Sequence, residues 1–292
     1  MAWNLLIFDG KISKTDKKGK NYQVPLSTLL AFIFLGAAFL SLWIKRDPKI
    51  WGTLAAVAVV LGYLAVNITW IGLFLICLLA LLWFLYYRRP KVILFAALVL
   101  MGICFKLRIL PGYYPFFITP KFALGLANPL IGLFPLALLV PLAQNLKDWA
   151  GVMKGVAVGC VGIVILAGLA VITGATHFDY KIPSFFFERT LSNLFLTSIP
   201  EEGFYRGFIQ NTLSGYFKNT RWGNAVALIV SALLFSISHI YWSPNLGILA
   251  FTFLTGLLYG GVYLYSRKIE SAILCHFLFN LVHMMFFSYH AM

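Results

Sequence analysis

Apolar runs of eighteen residues or more recur from one end of this chain to the other, and no other feature limits its folding as much. Read as helix, such a run crosses the ~30 Å hydrocarbon core of a bilayer with its backbone N–H and C=O groups bonded internally. The alternating ten-residue segments of a membrane β-barrel are absent. Composition agrees, with 61% of residues hydrophobic and 11% charged, against roughly 25% charged in an average soluble domain. We expect an all-α, polytopic transmembrane helical bundle of about eight to ten spans and no separate soluble domain. The spans fall at 26–44, 50–66, 68–87, 91–109, 129–145, 151–174, 190–213, 222–240, 245–265 and 270–289.

The net charge of +14 raises nucleic acid as a partner, and its distribution argues against that. The basic residues sit in short loops between apolar runs, where membrane orientation and lipid headgroups account for them. Loops 45–49, 86–91, 144–154, 214–222 and 266–269 hold twelve Lys and Arg. The opposite loops 67, 107–128, 175–189 and 241–244 hold four, with Lys106 counted as membrane-embedded. The first set is therefore placed in the cytoplasm. Ten spans put the lysine-rich tail, with Lys11, Lys14, Lys17, Lys18 and Lys20, on the other side, against that rule. A missed or merged early span would repair the conflict. Residues 1–23 are too long and charged for a signal-peptide n-region, and 26–44 lacks a small-residue cleavage signature before Lys45, so it reads as a retained span. Cys77, Cys104, Cys160 and Cys275 lie in apolar context without a CxxC pair, which supports neither a disulfide framework nor a thiolate metal site.

Between Lys106 and Pro141 come Pro111, Pro115, Pro120, Pro129, Pro135 and Pro141. We expect an extramembrane loop or interfacial helix there, followed by a kinked span packed against its neighbours. The stretch 191–210, LSNLFLTSIPEEGFYRGFIQ, is the chemical exception in the apolar pattern. Only nine residues of the chain are acidic, and two of them, Glu201 and Glu202, are adjacent inside this run. An ionised carboxylate in hydrocarbon costs several kcal/mol unless it is paired or lines a polar cavity.

Glu202 and Arg206 are one helical turn apart and can pair on one face. Glu201 points about 100° away, towards a cavity. Pro200 removes a backbone donor and can kink the span, while Gly203 and Gly207 allow close helix approach. A structural ion pair with a spare carboxylate is the bland explanation. Two further segments weigh against it, Phe235 to His239 and His276 to Asn280, each spanning one helical turn. Together they supply a base and donors that can activate water and hold an oxyanion. They also offer a two-histidine, one-carboxylate metal shell. His177 in a loop, terminal His290, and His283, which lacks an acidic neighbour, compete poorly.

The three motifs EExxxR (Glu201 to Arg206), FxxxH (Phe235 to His239) and HxxxN (His276 to Asn280) occur in order within 80 residues. In this the chain resembles the CPBP family, the CAAX prenyl protease 2 and bacteriocin-processing (Abi) intramembrane proteases, over roughly 150–289. The resemblance implies catalytic residues on separate core helices of a domain at 146–292, after a tail at 1–23 and helices of unassigned role at 24–145. It implies that Glu201 with His239 activates water, and that His276 and Asn280 stabilise the oxyanion. Glu202 and Arg206 are then supporting members, and Phe235 a packing residue. Loss of one oxyanion donor typically costs about 3 kcal/mol in the transition state. No cofactor is required on this reading. Zinc on Glu201, His239 and His276 is the disfavoured alternative, since no compact HExxH-type ligand set is present.

The expected activity is that of an intramembrane endopeptidase acting on a membrane-embedded or lipid-modified peptide or protein. Its partners are that substrate and the bilayer, with no nucleic acid. The protein is expected in the inner membrane of a bacterial cell or the endoplasmic reticulum of a eukaryotic one. The competing function is a proton-coupled transporter or ion-conducting protein using the same cluster, although no inverted hydropathy repeat stands out. One geometric conflict remains at this level. Ideal straight spans put Glu201 near mid-membrane, His276 nearer the cytoplasmic end and His239 nearer the opposite end. Their meeting requires tilt, a kink at Pro200, or different boundaries between 213 and 245.

Overall fold

The computed structural model describes residues 25–119, 122–240 and 245–288. The lysine-rich tail and His290 lie outside these residues. An all-α bundle is found. It begins with α1 (Leu26–Ile44), α2 (Pro48–Leu64), α3 (Trp70–Arg88) and α4 (Val92–Lys106). Local signals fix these starts: the Asp47 side chain caps α2 at the Lys49 N–H, with Pro48 in the first turn, and Thr69 caps α3 at Gly72.

The proline-rich region then forms an antiparallel hairpin, β1 (Phe116–Thr119) with β2 (Phe122–Leu124), followed by α5 (Ala127–Leu138). Next comes α6 (Leu146–Ile172), capped by Asn145. A helical stretch without a break follows, assembled from α7 (Phe186–Ser192), α8 (Ile199–Glu202), α9 (Asn211–Tyr216) and two π-helical segments between them. The chain finishes with α10 (Gly223–Ile237), α11 (Leu246–Ser266) and α12 (Ile269–Phe286). A short pair, β3 (His177–Phe178) with β4 (Phe287–Ser288), ties the end of α12 back to the segment after α6.

By length and composition α1, α3, α6, α11 and α12 can each cross a membrane, while α2, α4, α5 and α10 are shorter apolar helices. Their outward faces carry bare aliphatic and aromatic side chains, among them Ile33, Phe74, Val161, Val164 and Ile165. Such faces suit lipid. The chain is thus an integral membrane protein by fold.

Three expected boundaries need correction, and one of them is the span at 151–174, which starts at Leu146. The span at 129–145 ends at Leu138, so α5 has 12 residues and reaches only about 18 Å. Pro141 lacks an N–H and biases Val140 away from helical backbone, so the chain leaves the helix before it. In place of a kinked span, α5 is a short wedge buried along most of its length, from Pro129 to Ala137. The span expected at 190–213 runs instead through 186–216, because its π segments let helix continue across Pro200.

The core joins both ends of the chain. One apolar cluster unites Leu35, Phe39 and Leu42 of α1 with Leu133 and Leu136 of α5 and Ile273 of α12. A second unites Trp83 of α3 and Leu98 of α4 with Phe204, Phe208, Phe235 and Tyr259. Glu270, in the first turn of α12, is buried between these ends. Its Oε1 accepts from the Trp43 indole at 2.9 Å and the Ala143 N–H at 2.6 Å.

Candidate active site

Pro200 cannot donate a backbone hydrogen bond, and the helix accommodates it between π segments Asn193–Ser198 and Gly203–Gln210. Wide turns of this kind recur at functional sites because they re-aim side chains. The α5 wedge crosses behind α8 at very close range. A Cβ placed on Gly132 would lie 2.0 Å from the Pro200 carbonyl oxygen, so only glycine permits this crossing. Gly203 meets Leu136 and the Gly132 carbonyl, and Gly207 meets Val140. The close approach expected at Gly203 and Gly207 is therefore made, with α5 as the partner of Gly203 and the segment just after α5 as the partner of Gly207.

Glu201 and Glu202 consequently face different surroundings. Glu202 is fully buried. Its Oε1 accepts from Arg206 at 2.9 Å and from His276 Nδ1 at 2.7 Å. Arg206 also donates to the Gly256 carbonyl at 2.7 Å, and its guanidinium lies 4.7 Å from the Phe235 ring centroid and 5.3 Å from that of Tyr259. Glu202, Arg206 and His276 thus form a buried polar cluster joining the α8 region to α11 and α12, in which Glu202 Oε2 and Arg206 Nε have no hydrogen-bond partner among the described residues. The contacts at Oε1 offset part of the pair's desolvation cost.

Glu201 instead borders a cavity of about 570 Å³. Lys106, Glu201, His239, His276 and Asn280 line it together with Arg108, Asn128 and His283, which sequence reasoning set aside, and most of the apolar wall comes from α6, α11 and α12. One carboxylate oxygen, Oε1, is hydrogen-bonded to the Lys106 ammonium. The other, Oε2, is buried without a hydrogen-bond partner among the described residues and lies 3.9 Å from His239 Nε2.

His239 follows α10 by two residues, and its Nδ1 is 2.7 Å from the Phe235 carbonyl oxygen. A carbonyl only accepts, so Nδ1 carries the hydrogen and Nε2 is the lone-pair nitrogen of the neutral ring. The four-residue spacing of FxxxH has this physical content: the Phe235 backbone fixes the tautomer, and its ring packs 4.6 Å from the imidazole centroid. His276 is held similarly. Its Nδ1 is taken by Glu202, which leaves Nε2 for the cavity, and its ring stacks on Tyr259 at 4.6 Å and 14°. Asn280 donates to Asn193 Oδ1 at 2.9 Å, and Asn193 donates to the Phe277 carbonyl at 3.0 Å.

All six residues expected at the site converge. Glu201, His239, His276 and Asn280 line the cavity, while Glu202 and Arg206 sit behind it. The depth conflict between Glu201 and His239 dissolves once boundaries are counted from the 217–222 loop, and His276 is placed at the site by its contact with Glu202. Glu201 lies fifteen residues before Tyr216 and His239 sixteen after Gly223, or about 22 and 24 Å along two antiparallel helices.

Sequence reasoning missed Lys106 and Asn193 as partners. Each is a polar residue in an apolar run, which is a signal. Their partners lie 95 and 87 residues away, beyond the reach of helical spacing. The alternative zinc shell would have to use Glu201 Oε2, His239 Nε2 and His276 Nε2, since Lys106 occupies the other oxygen of Glu201 and the Nδ1 atoms bond the Phe235 carbonyl and Glu202. Among the described residues no three His, Cys, Asp or Glu side chains are grouped as metal ligands. The four cysteines are free thiols.

Thr176, beside β3, and Phe287 of β4 also line the cavity. The β3–β4 tie is fastened by Asp179, which accepts from Ser288 at 2.5 Å and from Lys181 at 2.9 Å. These two donors hold the Asp179 carboxyl below the usual carboxylate range.

Residues 183–282 match the family model described as Rce1-like, type II CAAX prenyl endopeptidase. The matched stretch contains all three motifs and bears out the resemblance drawn from them. Comparisons with curated proteins and with solved structures give no match.

Proposed function

From an Rce1-like domain at residues 183–282 set in a bundle of apolar helices, we propose a metal-independent intramembrane endopeptidase. It hydrolyses a peptide bond in a membrane-associated, lipid-modified protein or peptide. The observation that carries this reading is the pairing of Glu201 Oε2 with His239 Nε2, 3.9 Å apart at the cavity wall. Two acceptors at that separation can share one water, each taking one of its hydrogens. The lone pairs of the water then point towards the cavity, where a scissile carbonyl would lie.

Glu201 takes a proton as the water oxygen attacks the carbonyl carbon, and returns it to the leaving amine when the C–N bond breaks. Charge developing on the carbonyl oxygen meets the second amide hydrogen of Asn280 and the His276 side chain beside it. Glu202 and Arg206 hold His276 in place. The apolar walls from α6, α11 and α12 suit a lipid chain beside the peptide. The peptidase match weighs against the transporter alternative.

The test is cleavage of a farnesylated peptide by purified protein in detergent, read by mass spectrometry with and without a chelator. Chelator-resistant cleavage that disappears in Glu201→Gln is the expected result. Chelator-sensitive cleavage overturns the metal-independent reading. A pH-gradient-driven proton flux without any cleavage overturns the peptidase reading.

A further inference from the structure

We propose that Lys106, contributed by α4 from outside the matched stretch, is the positioning residue of Glu201. The inference rests on the reading of Glu201 as the base. Lys106 closes the apolar run VILFAALVLMGICFK, and its side chain is only 12% exposed. A lysine so deep among apolar residues requires a partner, and it finds the Glu201 carboxylate.

The contact is built by a helix pair. One turn before Lys106, Gly102 faces Phe204 so closely that a Cβ would lie 2.2 Å from the ring. Phe204 lies three residues after Glu201. Spacings of i, i+4 on α4 and i, i+3 on its partner place both contacts on facing sides of two antiparallel helices. The Gly102–Phe204 approach therefore sets the height and distance at which the ammonium meets Glu201.

Two consequences follow for the reaction. Lys106 takes Oε1 and leaves Oε2 directed at His239, so the carboxylate cannot rotate away from the water it is to deprotonate. Each of the two adjacent carboxylates also has its own cation, Lys106 for Glu201 and Arg206 for Glu202. Neither has to share a proton with its neighbour, as unpaired carboxylates in contact do.

The experiment combines two readouts on wild type, Lys106→Met, Lys106→Arg, Glu201→Gln and the Lys106→Met/Glu201→Gln double variant. Thermal unfolding in detergent gives a double-mutant cycle, and non-additive losses are expected from a direct pair. With the farnesylated peptide, Lys106→Met is expected to lower kcat about 100-fold, as misplacement of a reacting group does. KM stays unchanged, and Lys106→Arg recovers part of the rate. Additive stability losses overturn the pair. A kcat in Lys106→Met that is unchanged or raised overturns the positioning role, because the lysine would then only block the base. If wild type cleaves but Glu201→Gln cleaves equally well, the reading of Glu201 fails while the cycle still decides the pair. If wild type does not cleave, additive losses still overturn the pair and non-additive losses uphold it.

Discussion

Two carboxylates one residue apart divide this molecule between chemistry and architecture. Glu201 sits at a cavity wall, 7% exposed, with one oxygen tied to a distant lysine and the other directed at His239. Glu202 is 0% exposed, and its Oε1 is taken by Arg206 and His276. On the proposed function the same side chain is a reagent in one position and a rivet in the next. The difference arises from the 100° rotation per residue of a helix and from which neighbouring helix meets each face.

The largest effect should come from exchanging the two losses. Glu201→Gln keeps shape and burial and should reduce kcat by about 10²–10⁴-fold, the usual worth of a general base, with little change in unfolding temperature. Glu202→Gln should do the reverse, lowering the unfolding temperature and the yield of folded protein more than the specific activity. Parallel melts and rates decide, and equal behaviour of the two variants would erase the distinction.

Next in size is Arg206→Ala. It leaves Glu202 buried without its cation and should cost about 3–5 kcal/mol of stability, measured by denaturant or thermal unfolding of purified protein. A loss confined to activity would move Arg206 to the chemical side of the comparison. Asn193→Ala probes the cavity side more gently. It removes the acceptor that holds Asn280, about 1 kcal/mol for a neutral hydrogen bond, so kcat should fall roughly fivefold with the fold intact.

The smallest effect concerns the β3–β4 tie. Asp179 has a lowered folded-state pKa, so its contribution is present above the unfolded value and is lost as pH falls below about 4. Asp179→Asn should remove that part of the acid sensitivity of thermal unfolding by lowering the neutral-pH melt slightly, with the melt below about pH 4 nearly unchanged. An identical acid profile in the variant would show that the tie contributes nothing.

Much of the catalytic side was legible because its spacings are local. Glu202 with Arg206, and Phe235 with His239, are single-turn relations that a helix converts directly into contacts. His276 and Asn280 share a face for the same reason, yet each bonds to a different helix. In the proline-rich segment the expected loop is present, but the span after it was judged too long. Its prolines reveal where helix stops, whereas the burial of α5 behind Pro200 depends on Gly132 meeting a backbone carbonyl some seventy positions along the chain.

By itself the sequence determined an apolar helical bundle, three motifs at helical spacing, and a carboxylate pair too costly to bury without partners. Hydropathy and i, i+4 geometry are properties of short stretches, so they can be read without a fold. Only the tertiary structure decided which cation meets Glu201, that α4 reaches the site through Lys106, and that His239 and Glu201 share one depth. Those facts depend on where helices end and which faces meet, and such choices are made by packing between residues far apart in the chain.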